Sequence, residues 1–207
     1  MEKAAPIAAL FLDIGGVLLT NGWAHQSREL AAKAFNLDLA EINDRHQLTV
    51  ETYEVGKLTL EEYLHLVVFY QERTFKWIAF RKFMFEQSKP YPQMIHLIQK
   101  LKAKYGLKIA VVSNEGRELN SYRIQKFKLD EFVDFYISSC FVHLRKPDND
   151  IYRMALDIAQ VPAKQVVYID DQPMFIQAAQ GEGIRGIHHT DYTSTRQQLA
   201  SLGLETA

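Results

Sequence analysis

Three apolar runs of strand length constrain this chain more than any other feature. "IAALFLDIGG" begins at Ile7, "LKIAVVSNEG" at Leu107 and "VVYIDDQP" at Val166, and each passes through a polar or glycine-bearing turn into a segment with helical spacing. A strand covered on one face alternates apolar with polar residues. A strand covered on both faces reads as a continuous apolar run, which is the habit of parallel sheets. Parallel neighbours in turn require a crossover, usually a helix. The repeated strand-turn-helix order therefore predicts an open parallel α/β sheet with helices on both faces. "VDFYISS" before Cys140 and "IRGIHH" ending at His189 predict further strands, and "NDIYRMALDIA" predicts a helix in the same alternation.

Residues 22 to 88 follow another period. "SRELAAKAF", "AEINDRHQLTVETYEVG", "TLEEYLHLVVFYQE" and "TFKWIAFRKFMFEQ" repeat apolar residues at helical spacing, and none of them reads as a strand. Thr59 with Glu62 has the form of a capping box, Gly56 can end the preceding helix, and "SKPYP" precedes the return to the sheet pattern. The expected division is an α/β core at 1–20 and 89–207 with an all-α unit at 21–88. The aromatic residues Phe69, Tyr70, Phe75, Trp77, Phe80, Phe83 and Phe85 are expected to form the core of that unit and its interface with the sheet domain.

Charge and cysteine content narrow the function classes. Lys and Arg number 24 against 25 Asp and Glu, a balance without the basic excess of a nucleic-acid groove or a membrane-surface protein. The single Cys140 excludes an internal disulfide or a cysteine-cluster metal site. The apolar runs are far shorter than the roughly 20 residues of a membrane helix, and "MEKAAPIAALFLD" lacks the pattern of a signal peptide. The expectation is a cytoplasmic protein with no nucleic-acid or membrane partner, either monomer or homodimer.

In an open parallel sheet, ligands bind beyond the carboxyl ends of the strands. The three clear strands end there in polar signatures: Asp13 with Gly15 and Gly16, then Ser113 with Asn114, then Asp170 with Asp171. "RKPD" adds Lys146 in a loop from which an ammonium can reach the same edge. His188 and His189 are adjacent on a predicted strand, so they point to opposite faces and do not make a shared metal site.

The order D-x-x-G-V, V-S-N, K-P-D and D-D resembles the haloacid dehalogenase-like hydrolase superfamily, specifically its phosphatase-type members with a helical cap inserted after the first motif. The resemblance covers nearly the whole chain. It implies a Rossmann-like core with an all-α cap, and hydrolysis of a small phosphorylated metabolite. Asp13 would be the nucleophile that carries an aspartyl-phosphate, Ser113 and Asn114 would hold phosphoryl oxygens, and Lys146 would neutralise charge. Mg²⁺ would be bound by Asp13, the backbone carbonyl of Gly15 and Asp171, with Asp170 orienting this shell or joining it. Three carboxylates at one strand edge would otherwise repel one another.

Two positions depart from the family pattern. Gly15 stands where most phosphatases of the superfamily carry a second Asp, the general acid/base, a contribution typically worth about 10² to 10⁴ in rate. The gap biases the chain toward leaving groups that need little protonation, such as anomeric sugar phosphates and acyl phosphates. His25, Glu115 and His143 lie near the motifs and are candidate substitute acids, though each fits an ordinary surface or packing role. Phe175 stands where relatives often place an Asp or Asn that steadies the metal shell or the lysine. Two other readings remain at this point: a 2-haloacid dehalogenase, and a catalytically weak relative that binds or regulates through its aromatic-rich helical unit. Specificity is expected on that unit and on the linkers around Asn21 to Trp23 and Ser88 to Tyr91.

Overall fold

The computed structural model describes residues 6–206. Residues 1–5 and 207, which the expected division assigned to the core, lie outside the described residues, as does the start of the segment read for a signal peptide. In chain order the elements are β1 (Ala9–Leu12), α1 (His25–Phe35), α2 (Leu39–Glu54), α3 (Leu60–Val67), α4 (Trp77–Glu86), α5 (Pro92–Tyr105), β2 (Lys108–Ser113), α6 (Arg117–Lys126), β3 (Phe135–Ser138), α7 (Ser139–Val142), α8 (Asn149–Ala159), β4 (Val166–Asp170), α9 (Pro173–Gly181), β5 (Arg185–His188) and α10 (Tyr192–Ser201).

The strands form one parallel sheet in the order β3-β2-β1-β4-β5. β1 is central, with Leu12 opposite Val111 of β2 on one side and Ile169 of β4 on the other. Its side chains alternate between two apolar layers, as the period of a strand requires. Leu10 and Leu12 pack with Ile98 and Leu101 of α5 and Leu199 of α10. Ala9 and Phe11 pack on the other face with Ile151 and Ala155 of α8 and Ala179 of α9. Each such large side chain contributes about 1.5–3 kcal/mol by leaving water, so the unbroken apolar runs follow from the two-sided burial. The order reverses at β1, where one connection runs toward β2 and the chain later returns to β4, and this places a crevice beyond Leu12.

The helices α1 to α4 gather around a separate apolar cluster of Ala31, Ile42, Tyr63, Leu64, Phe80 and Met84. Local signals set their ends. The Asp38 side chain accepts from the N–H groups of Ala40 and Glu41 at the start of α2, and Gly56 takes the left-handed conformation just beyond its end. Thr59 and Glu62 form the reciprocal capping box of α3. The apolar pattern runs on to Glu72, but α3 stops at Val67. There the chain turns so that Arg73 Nε donates to the Val68 carbonyl at 2.7 Å and the Phe69 and Phe75 rings pack 5.5 Å apart. Phe35 joins Phe75 and Phe80 at 4.6 and 5.0 Å between centroids. Trp77, counted among the expected core aromatics, is exposed beside Arg81.

The two chain crossings between this helical cluster and the sheet lie side by side. Thr20 N–H donates to the Lys89 carbonyl at 2.8 Å, and Lys89 N–H donates to Thr20 Oγ1 at 2.9 Å. Arg123 on α6 fastens both, donating from Nη2 to the Thr20 carbonyl and from Nε to Ser88 Oγ. No helix among the described residues is long and apolar enough to cross a membrane.

Candidate active site

Asp13 follows the last residue of β1, and its N–H donates to the Ile169 carbonyl, which extends the ladder to β4 by one residue. Its Oδ1 accepts from Ile14 N–H at 2.9 Å and lies 3.1 Å from Lys146 Nζ. Asp170, at the end of neighbouring β4, is fully buried and has both oxygens engaged. Oδ2 takes Lys146 Nζ at 2.6 Å and the Tyr168 hydroxyl in a short hydrogen bond, while Oδ1 accepts from Gln172 N–H at 2.7 Å. Asp171 turns toward the opening, where its Oδ2 accepts from Asn21 Nδ2 at 3.0 Å and Gln172 Nε2 at 3.2 Å. Carboxylate oxygens of Asp13, Asp170 and Asp171 lie within 4.8 Å of one another.

Burial dominates the electrostatics of this cluster. It pushes the Asp13 carboxyl up to about 7, with Asp170 and Asp171 adding to the rise and Lys146 opposing it. Burial also pulls the Lys146 ammonium down, yet Asp13 and Asp170 outweigh it and hold the ammonium above its ordinary value. One lysine does not neutralise three carboxylates. Asp13 and Asp171 retain free acceptor positions for a hard cation, and no backbone N–H among the described residues donates to the Gly15 carbonyl. That all-oxygen donor set fits Mg²⁺, while Asp170, which takes three donors and keeps one acceptor position on Oδ1, is suited to orienting Lys146 and stays within reach of the same cluster.

Ser113, at the end of β2, is fully buried, and its Oγ forms no hydrogen bond among the described residues. Asn114 clamps the lysine loop: its Nδ2 donates to the Lys146 carbonyl at 2.9 Å and its Oδ1 accepts from Lys146 N–H at 2.8 Å. All the residues singled out at the strand ends thus converge on one crevice. It opens into a cavity of about 380 Å³ between the sheet and the helical cluster, lined by Asp13, Ser113, Lys146 and Asp171 on one side and by Arg28 and His46 on the other.

A family model for haloacid dehalogenase-like hydrolases matches residues 7–183. The chain belongs to this hydrolase family. The hydrolase is 28% identical over 115 residues to the sesquiterpene phosphatase astK of Aspergillus oryzae, a match covering 55% of this chain and 58% of that protein. It is 26% identical over 215 residues to the bifunctional epoxide hydrolase 2 of Sus scrofa, covering 93% of this chain but 38% of that protein. The matches therefore span less than two thirds of either relative's length. In fold it resembles the HAD family enzyme bt-2542 of Bacteroides thetaiotaomicron, solved as a magnesium complex, with a TM-score of 0.73, 18% identity and coverage of 89% and 94% of the two chains.

The glycine pair of the hydrolase is explained by its neighbours. At Gly16, φ is +74° and a Cβ would collide with the Asp171 carboxylate, so only glycine lets that side chain cross the turn. At Gly15 a Cβ would lie 2.5 Å from Asn21 Oδ1. The space a side chain at Gly15 would enter is therefore taken by a neutral amide from the linker. Phe175 has its ring centroid 4.8 Å from Lys146 Nζ, so an aromatic face supports the ammonium.

The candidate substitute acids are otherwise engaged. Glu115 forms a buried ion pair with Arg123, His143 Nδ1 pairs with the Val55 carbonyl at 2.7 Å, and His25 lines the cavity mouth 3.4 Å from Glu29. His188 and His189 part as the strand period predicts, His188 to the Asp171 carbonyl and His189 to Thr195 Oγ1. Gln172 and Tyr168 were missed as site residues, and Asn21, expected only in a specificity linker, bonds Asp171 directly. Tyr168 had a signal in its position two residues before Asp170 on one strand, which puts both side chains on the same face.

Proposed function

We infer that the chain is a Mg²⁺-dependent phosphatase of small phosphorylated metabolites. The observation that carries this reading is Lys146 Nζ held between Asp13 and Asp170 at 3.1 and 2.6 Å, lining the cavity together with Ser113, whose buried hydroxyl has no hydrogen-bond partner among the described residues. An Asp13 oxygen attacks phosphorus, the bond to the leaving oxygen breaks, and the phosphoryl group is carried on Asp13 until water displaces it. Lys146 offsets the charge that builds on the transferring oxygens, Ser113 and one remaining Asn114 N–H hold them, and Asp170 with Tyr168 keeps the ammonium aimed. Mg²⁺ would be held by Asp13, the Gly15 carbonyl and Asp171, and when bound it supplies charge neutralisation at the phosphoryl group. Residues 21–88 act as a cap over the cavity, excluding water and choosing the leaving group.

Asn21 Oδ1 beside Gly15 can accept a hydrogen bond from a water or leaving group, but it cannot deliver a proton as a carboxylic acid does. This favours acyl and anomeric sugar phosphates over simple alkyl phosphates. The test is phosphate release from a broad ester panel with Mg²⁺, with chelator, and with Asp13→Asn. Release that needs both Mg²⁺ and Asp13 is expected. Chloride release from a chloroalkanoate, undiminished by chelator, would instead establish a dehalogenase. No Asp13-dependent release from any substrate would leave a binding protein.

A further inference from the structure

The cavity wall contributed by the helical cluster has an electrostatic feature that the phosphoryl chemistry does not use. Three arginines line the cavity. Arg123 is paired with Glu115, and Arg145 with Glu51 and Glu54 at 2.7 Å each. Arg28, on α1, is 8% exposed, yet its partners are neutral: Nε donates to Asn43 Oδ1 and Nη1 to the Trp23 carbonyl, both at 2.8 Å. Among the described residues it forms no ion pair, and its Nη2 makes no hydrogen bond. Its Nη2 is the part left open to the cavity, and a guanidinium so largely enclosed without a counter-ion is costly. Burial accordingly holds the Arg28 pKa below its ordinary value. The cost is offset when a ligand brings the negative charge.

His46, on α2, lines the same wall. Its Nδ1 lies 2.6 Å from the Tyr63 hydroxyl, which itself accepts from Trp23 Nε1 at 2.9 Å. The Tyr63 hydrogen is thus directed to Nδ1, so the imidazole carries its proton on Nε2, the nitrogen with no protein partner among the described residues. Burial and the neighbouring Arg28 keep the ring neutral. A guanidinium N–H and an imidazole N–H, with no carboxylate paired to either, are donors for an oxyanion.

We propose that Arg28 and His46 bind a second anionic group of the substrate, so that the preferred substrates are small phosphomonoesters carrying a carboxylate or a second phosphate. This rests on the phosphatase reading of the same cavity. A space of about 380 Å³ accommodates a phosphoryl group joined to a short carbon skeleton.

The test uses matched pairs with wild-type protein and Mg²⁺: a short phosphorylated hydroxy acid against its amide, and a short bisphosphate against its monophosphate. An increase in kcat/KM of about tenfold or more for the anionic member is expected, the scale of one charge-assisted contact. The acid and bisphosphate arms separate the two sources of charge. Arg28→Gln is expected to bring the ratio within a pair close to one, with Arg28→Lys restoring part of it. Mere structural damage would slow both members equally and leave the ratio intact. Equal turnover of charged and neutral members by the wild type overturns the proposal while the phosphatase reading stands. Absence of turnover with every compound, alongside Arg28-dependent binding of the phosphorylated acid in calorimetry, would sink the phosphatase reading and keep the anion site.

Discussion

At the strand end of the cavity Lys146 lies between two carboxylates, whereas at the helical end Arg28 has no charged partner among the described residues. Asp170 receives three donors, and Lys146 sits between two carboxylates with its main chain clamped by Asn114. Arg28 is nearly as buried and is held by neutral oxygens alone. The difference separates two tasks. Groups that perform the same chemistry on every substrate can be preorganised, with their interactions complete before anything binds. A group that selects among leaving groups must keep a need that only the right ligand meets, since specificity is a difference of affinities.

The largest expected effect comes from breaking the compensated end. Lys146→Met should slow phosphate release by on the order of 10²–10³-fold, the scale of one lost stabilising donor. It should also lower stability by about 3 kcal/mol, because two buried carboxylates lose their counter-ion. Steady-state kinetics and urea unfolding check both; an unfolding midpoint equal to wild type would show that the acids are compensated elsewhere.

Restoring the absent acid comes next. Gly15→Asp alone requires the exposed Asn21 side chain to swing aside, because its Oδ1 would lie 2.5 Å from the new Cβ, and is expected to gain less than the double substitution. Gly15→Asp with Asn21→Gly should raise turnover of a simple alkyl phosphate about tenfold or more, while changing an acyl phosphate little. An equal gain from the single substitution would mean that Asn21 does not hold that space.

Smaller effects sharpen the helical end. His46 faces Arg28 and Tyr63 and is held at about 3, against 6.5 for an ordinary histidine. The unfolded chain therefore binds the proton and the folded one does not, so stability falls as pH drops below about 6.5. Between pH 6.5 and 4.5 this amounts to about 2 kcal/mol, and His46→Gln should remove that part of the slope in pH-dependent thermal unfolding. Phe175→Leu, which deletes the ring beneath Lys146, should cost about 0.5–2 kcal/mol of stability, measured by the same method.

The sheet was readable because its physics is local. Two-sided burial forces the unbroken apolar runs of β1, β2 and β4, and the partly exposed edge strands β3 and β5 also occur where the alternation with helices placed them. The residues at the strand ends were equally legible, since strand order alone brings Asp13, Ser113 and Asp170 to one edge. Asn21, Arg28 and His46 carried no such mark. Each acts from a linker or helix whose placement depends on packing across the cavity, and helical spacing says only which residues share a face. Phe175 was read as a loss, because the sequence does not reveal that its ring would lie against the ammonium. The end of α3 at Val67 was likewise set by packing of Phe69 and Phe75 rather than by a stop signal.

The central claim is that Asp13 carries the phosphoryl group. Rapid acid quenching during turnover of an acyl phosphate with Mg²⁺, followed by peptide mass spectrometry, tests it most directly. The expected result is a peptide containing Asp13 heavier by one phosphoryl group, absent from Asp13→Asn and lost on a chase with excess unreactive competitor. Phosphate release at full rate with no such peptide, or with the phosphoryl group on another residue, would contradict the account.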